Sequence, residues 1–169
     1  MPVTRLNHAV LYVRDVSVSV AFYERALGFR QVMGFPGAAF LQAGGSSNDH
    51  DLGLFQLGPQ AGPSGAGSTT VGLYHLAWEV DTLDELAATR SRLESLGALV
   101  GATDHATTKA LYAKDPDGIE FEVSWLVPAS LLTAEILGAR ETMNPLDLPA
   151  EIERFGGQTH GGLGVSIPV

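Results

Sequence analysis

The stretch His105–Glu122, HATTKALYAKDPDGIEFE, decides the fold. It predicts two strands, Ala110–Ala113 and Ile119–Trp125, joined by the turn Asp115-Pro116-Asp117-Gly118. Pro116 presets φ in that turn and Gly118 tolerates a positive φ. Side chains alternate across a strand. Phe121, Val123 and Trp125 therefore share an apolar face, while Glu120, Glu122 and Ser124 share the other. On the preceding strand Tyr112 follows the alternation of Ala110 and Lys114. A carboxylate in so apolar a strand calls for a partner, because an unpaired buried charge is expensive. Glu122, Tyr112 and the upstream His105 supply an acid, a phenol and an imidazole that can converge on one cleft.

Working outward, the hairpin is the end of a longer pattern. Leu73–Val80 predicts a strand containing His75. A helix follows from Thr82 or Asp84 through Leu96, with Leu83, Leu86, Ala87 and Leu93 at helical intervals and Gly97 as its stop. Ala98–Gly101 is a further strand. The same order occurs earlier. Asn7–Val13 is a strand containing His8, and Asp15 or Ser17 caps a helix over Val18–Leu27 that ends at Gly28. Strands at Phe29–Phe35, Ala38–Ala43 and His50–Leu57 complete that copy. His8 precedes Gln56 by 48 residues and His75 precedes Glu122 by 47, so the repeat keeps its spacing.

The fold expected is α+β: one domain over residues 1–169, made of two βαβββ modules at about 5–57 and 73–127. The modules form a curved mixed sheet with helices outside and a metal cleft inside. Residues 58–72, GPQAGPSGAGSTTVG, have the composition of a linker. Residues 128–169 are a C-terminal extension. In it Leu131, Leu132, Ile136 and Leu137 make a helical apolar stripe, a short helix starts at Pro149, and the tail is rich in glycine, Gly164 included. That stripe needs a partner surface, on the domain or across a dimer.

Composition narrows the chemistry. Hydrophobic residues make up 45% of the chain, which suits a globular core. No apolar run approaches the ~20 residues of a membrane-spanning helix, and the start MPVTRLNHAV has no secretory apolar segment. A cytoplasmic protein without a membrane partner is the expectation. There is no cysteine, so a metal would be held by nitrogen and oxygen donors. The net charge of −9 disfavours nucleic acid, whose phosphates are bound by basic patches.

Taken singly, a strand histidine is more often a structural residue than a ligand. His8, His75 and Glu122 stand together at repeat-matched positions, and two imidazoles with one carboxylate form the facial set that suits non-haem Fe(II). Mn(II) can take the place of iron in such a site.

The two βαβββ modules, the first-strand histidines and the DPDG turn ahead of Glu122 resemble the vicinal oxygen chelate superfamily over about residues 5–127. That superfamily includes glyoxalase I, fosfomycin-resistance enzymes, antibiotic-binding proteins and type I extradiol dioxygenases. The resemblance implies His8, His75 and Glu122 as metal ligands. Within it, LYHLAWEVDTLDEL and DHATTKALYAKDPDG look most like the small catechol 2,3-dioxygenase-like proteins. Type I extradiol enzymes carry a histidine before the last strand of the first metal-bearing unit, which His50 in NDHDLGLFQL matches. They carry another upstream of a tyrosine, which His105 and Tyr112 match. Glyoxalase I does not need these three residues together, and typically has a carboxylate where Gln56 stands.

The activity implied is Fe(II)-dependent extradiol cleavage of a catecholic small molecule with O2, with His50, His105 and Tyr112 as catalytic residues. Familiar extradiol enzymes have four such units and this chain has two, so a homo-oligomer is expected to supply the missing packing. The alternatives are a metal-dependent isomerase or transferase such as glyoxalase, and a small-molecule-binding resistance protein without turnover.

Overall fold

The computed structural model describes residues 2–3, 5–66 and 69–162. Gly67 and Ser68 of the linker, and the tail beyond Gly162 with Gly164, lie outside the described residues. The described residues fall into two compact units. Unit one holds those up to Gly65 together with Asp115–Ile119; unit two holds Ala66 to Lys114 and those from Glu120 onward.

In unit one the order is β1 (Ala9–Val13), α1 (Val16–Leu27), β2 (Arg30–Phe35), β3 (Ala38–Gln42) and β4 (Leu52–Gln56). Asp15 starts α1, its carboxylate accepting from the Ser17 and Val18 amides at 2.8 and 3.2 Å. Gly28 ends it at φ 69°, a left-handed conformation that suits glycine. The sheet order is β1-β4-β3-β2, with β1 parallel to β4 and the other pairs antiparallel. Leu11, Val13, Leu41, Leu52 and Leu54 are buried with Tyr23 and Ala26 of α1. Val10, Tyr12, Met33 and Phe35 are exposed. The DPDG turn belongs to this unit. The Tyr23 hydroxyl donates to Asp115 at 3.2 Å, and Arg14 bonds Asp117 through both its backbone amide (3.0 Å) and its guanidinium (2.5 Å). Burial holds the Tyr23 phenol well above its ordinary pKa and raises that of Asp115.

Unit two contains β5 (Leu76–Glu79), α2 (Leu83–Ser95), β6 (Leu99–Asp104), β7 (Thr108–Lys114) and β8 (Glu120–Leu126). Thr82 caps α2 through the Glu85 amide at 3.2 Å, and Leu83, Leu86 and Leu93 bury one helical face. The sheet order is β5-β8-β7-β6-β9, where β9 is the short Asn144–Pro145 segment of the extension. Hydrogen bonding thus runs in two mixed sheets, one per βαβββ module, in an α+β fold.

The extension is part of unit two. Its stripe is not one helix: Ala129–Leu131 form a 3-10 turn and Thr133 caps a new short helix, α3 (Ala134–Gly138). Of the stripe residues, Ile136 is buried and Leu131 is exposed. The helix after Pro149 is α4 (Leu148–Phe155). It covers a charge. Lys109 points from β7 into the core and is fully buried, its ammonium 2.5 Å from Asp104 and 2.9 Å from Glu151 of α4. Beyond α4, the Trp125 indole donates to the Thr159 carbonyl at 3.1 Å, and the Gly161 amide donates to the Asp81 carbonyl at 2.7 Å. A β-carbon on Gly161 would lie 3.1 Å from the Trp125 ring, so the chain passes closely over that indole.

Three strand starts differ from the sequence reading. His8, His50 and His75 stand just outside their strands, because β1 and β4 pair only from Ala9 and Leu52, and β5 pairs with β8 only from Leu76 and Phe121.

Candidate functional site

Unit two assembles four of the expected side chains. Tyr112 and Glu122 are direct cross-strand partners on β7 and β8, and Ala77 of β5 lies opposite Glu122 on its other side. His75, one residue before β5, brings Nε2 to 3.3 Å from Glu122 Oε2. Its ring lies 5.8 Å from the Tyr112 ring. The Tyr112 hydroxyl is 3.0 Å from Nε2 of His105.

His105 is aimed by a tight turn between β6 and β7. Ala106 there has φ 61°, rare for a residue with a β-carbon. The turn is closed by the His105 amide donating to the Thr108 carbonyl at 2.9 Å, and by the Ala106 amide donating to the Asp104 carboxylate at 2.7 Å.

The protons follow from these contacts. Burial, then the Glu122 charge and the hydrogen bond donated to Glu122, push the Tyr112 phenol up to about 12. A phenol has one proton to give. With that hydrogen donated in the bond to Glu122, the phenol oxygen accepts from His105, which therefore carries its hydrogen on Nε2. Tyr74, exposed and with its ring 4.7 Å from that of His75, is held above its ordinary pKa by the charge of Glu120 and a hydrogen bond to it.

Unit one brings together the other two histidines. The rings of His8 and His50 lie 4.5 Å apart, and Phe40 meets His50 edge-on at 5.0 Å. Each imidazole uses Nδ1 on its preceding residue, His8 on the Asn7 amide oxygen (2.8 Å) and His50 on the Asp49 carboxylate (3.0 Å). Nε2 is then the nitrogen open to a ligand in both rings. Carboxylate or amide support behind a histidine is the usual outer shell of a metal ligand.

Within either unit, among the described residues, His, Asp and Glu do not gather in a group of three or more able to hold a metal. The donors come as pairs, His8 with His50 and His75 with Glu122. The second pair fits a divalent ion. Donors 3.3 Å apart can share one ion at bond lengths of ~2.1 Å. The Nδ1 atom of His75 is buried without a hydrogen-bond partner, so no acceptor on that side fixes the ring. Imidazole nitrogen and carboxylate oxygen, with no thiolate in the chain, are the donor types that Fe(II) and Mn(II) accept.

The registers also show how the modules differ. Glu122 stands opposite Ala77 in unit two, and Gly53 stands opposite Val10 in unit one. Each position lies two residues beyond the respective histidine, so Gly53, not Gln56, matches Glu122. The Gln56 side chain instead accepts from the Val16 amide at the start of α1, at 3.2 Å. Phe40 is paired with Gly53 as Tyr112 is with Glu122. One module carries a phenol and an acid where the other carries a phenyl ring and no side chain.

Sequence reasoning did not single out Tyr74 or Asn48. Tyr74 could have been found as an aromatic neighbour of His75. Asn48 lay in a stretch that read as a turn-rich loop.

Known proteins resemble the chain along most of its length. The family model described as the Glyoxalase/Bleomycin resistance protein/Dioxygenase superfamily matches residues 5–123. The catechol-2,3-dioxygenase of Bacillus subtilis (strain 168) is 33% identical over 120 residues, covering 71% of this chain and 41% of that protein. The biphenyl-2,3-diol 1,2-dioxygenase 3 of Rhodococcus globerulus is also 33% identical over 120 residues, covering 68% of this chain and 59% of that protein. The chain therefore spans less than two thirds of the length of either relative. Among solved structures, the lactoylglutathione lyase of Agrobacterium tumefaciens aligns with a TM-score of 0.54 at 25% identity, over 73% of this chain and 95% of that one. A match running through both βαβββ modules, from Arg5 to the strand of Glu122, means that the chain belongs to the glyoxalase/bleomycin resistance protein/dioxygenase superfamily.

Proposed function

We propose that this protein is an Fe(II)-dependent extradiol dioxygenase that opens a catecholic ring with O2, with Mn(II) as the alternative metal, acting in the cytoplasm as a homo-oligomer. The observation that carries this reading is the Tyr112 hydroxyl, hydrogen-bonded to His105 at 3.0 Å and to Glu122 beside His75. The two dioxygenase relatives support it. In this reading His8, His75 and Glu122 hold the metal. When bound, the metal supplies Lewis acidity toward the catechol hydroxyls and a template that aligns substrate with O2.

The remaining residues handle protons. Tyr112 stays a neutral phenol at any physiological pH, so it acts as a donor and not as a base. Glu122 would serve as a metal ligand, and the Tyr112 phenol would give its hydrogen bond to a substrate oxygen. His105, donating from Nε2, keeps the phenol oriented. His50 has Nδ1 on Asp49 and an open Nε2, the arrangement of an imidazole that moves one proton. Both atoms of O2 end in the ring-opened semialdehyde acid, so the reaction needs no external reductant.

The test is anaerobic loading with Fe(II), then a panel of catechols with oxygen uptake and product absorbance recorded together. Uptake matched to a yellow product is expected. An iron-loaded protein that consumes no oxygen with any catechol would overturn the reading. A metal-dependent isomerase is then the second reading, favoured by the likeness to the lactoylglutathione lyase.

A further inference from the structure

We propose that Asn48 is a positioning residue, whose side-chain amide sets His8 against His50; this rests on the reading above, in which His8 holds the metal and His50 moves a proton. The two histidines come from chain segments with no strand pairing at that point, since the β1–β4 ladder begins only at Ala9 and Leu52. What joins the segments is hydrogen bonding on either side of His8. After it, the Ala9 amide donates to the Asp51 carbonyl at 3.0 Å. Before it, the Asn48 amide donates to the Asn7 carbonyl at 2.8 Å. The first contact is backbone to backbone. The second is made by a side chain and can be removed.

Asn48 is itself held on every side. Its other amide hydrogen goes to the Asp51 carboxylate at 2.7 Å, and its amide oxygen accepts from Arg5 at 2.5 Å. Its backbone N–H donates to the Ser46 hydroxyl at 3.0 Å. Asp51 is buried and also accepts from the Ala43 amide and the Ser46 hydroxyl, both at 2.8 Å. The loop from Ala43 to Asp51 is thus folded around one carboxylate, with His50 next to it in sequence. Asn48 is the side chain in that loop that reaches the segment leading into His8. A side-chain amide with both hydrogens and its oxygen engaged has little freedom to drift. Fixing reacting groups to better than about 1 Å is what such outer contacts supply, and losing that fit costs up to ~10² in rate.

The test uses Asn48→Asp, which keeps the shape and deletes both donors, and Asn48→Ala. The first readout needs neither metal nor activity. Ring protons of His8 and His50, 4.5 Å apart between centroids, give a nuclear Overhauser effect in the metal-free protein that is expected to vanish in both variants while circular dichroism is unchanged. Its persistence in either folded variant would overturn the proposal. The second readout is turnover in a double-mutant cycle. Asn48→Ala is expected to lower kcat about 10-fold to 10²-fold in the wild type and by a smaller factor in a His50→Phe background. Equal losses in both backgrounds would mean that Asn48 acts by some route other than His50, and would also overturn it. If wild-type protein cleaves no catechol, the proposed function fails, and the ring-proton measurement still decides the role of Asn48.

Discussion

Lys109→Met keeps the length of a side chain and removes its charge at a place where the structure makes that charge matter. The ammonium is fully buried between Asp104 at 2.5 Å and Glu151 at 2.9 Å, and it stands 5.6 Å over the Phe155 ring. Both acids are largely withdrawn from water, with side-chain exposures of 22% and 12%. Without the cation they face each other across an apolar group. Breaking a buried pair from one side costs about 3–5 kcal/mol, because the remaining charge is left uncompensated. In a chain of this size each kcal/mol moves the midpoint by roughly 2–4 °C, so Tm should fall by about 6–20 °C.

The assay is thermal unfolding followed by fluorescence. Trp78 and Trp125 both lie in unit two and report on the unit that loses the contact. Adding Glu151→Leu to Lys109→Met should recover a large part of the loss, since it removes one of the stranded carboxylates. A Lys109→Met protein melting within about 2 °C of wild type would refute the argument. It would mean that the three charges are better solvated than their burial implies.

Other outcomes follow from the site and the turn. His8→Ala, His75→Ala and Glu122→Ala should each lose stoichiometric iron with the fold kept; full occupancy by elemental analysis in any one of them removes that residue from the ligand set. Tyr112→Phe and His50→Phe should keep iron. Oxygen uptake should fall ~10²–10⁴ for His50→Phe and by less for Tyr112→Phe, and wild-type uptake from the His50 variant would defeat its proposed role. Burial raises the Asp115 pKa, so the fold favours the protonated acid. Its contribution is present below the unfolded value of about 3.9 and is lost as pH rises through the folded value. Subtracting Asp115→Asn stability from wild type across mildly acidic pH should show that decline, and a flat difference in urea unfolding would contradict it.

What the sequence made legible is local. The αL stop at Gly28, the caps at Asp15 and Thr82, and the turn around Pro116 and Gly118 each depend on a few adjacent residues, and each stands where it was expected. The pairing of Tyr112 with Glu122 follows from alternation once the turn is placed. Strand ends were less legible, because they depend on where a distant partner begins; His8, His50 and His75 all fall outside for that reason. The extension failed as a single helix because Thr133 opens a second one. Alternation puts Lys109 on the apolar face with Leu111 and Ala113, but nothing local names Glu151 as its counter-charge. The outward role of Asn48 was hidden in the same way, since its partners Arg5 and Asn7 lie more than forty residues upstream.

The turn that belongs to unit one carries a consequence for synthesis. Tyr23 waits for Asp115 across 92 residues, and Arg14 waits for Asp117 across 103. Closing a loop of that length costs about 2 kcal/mol more than closing one of ten residues. At ribosomal rates of 5–20 residues per second, the 92 residues from Tyr23 to Asp115 take roughly 5–20 s to make. Through that interval the Tyr23 hydroxyl and the Arg14 guanidinium have no Asp115 or Asp117 to meet. The final consolidation of the first module therefore comes late, when the hairpin bearing Tyr112 and Glu122 is made.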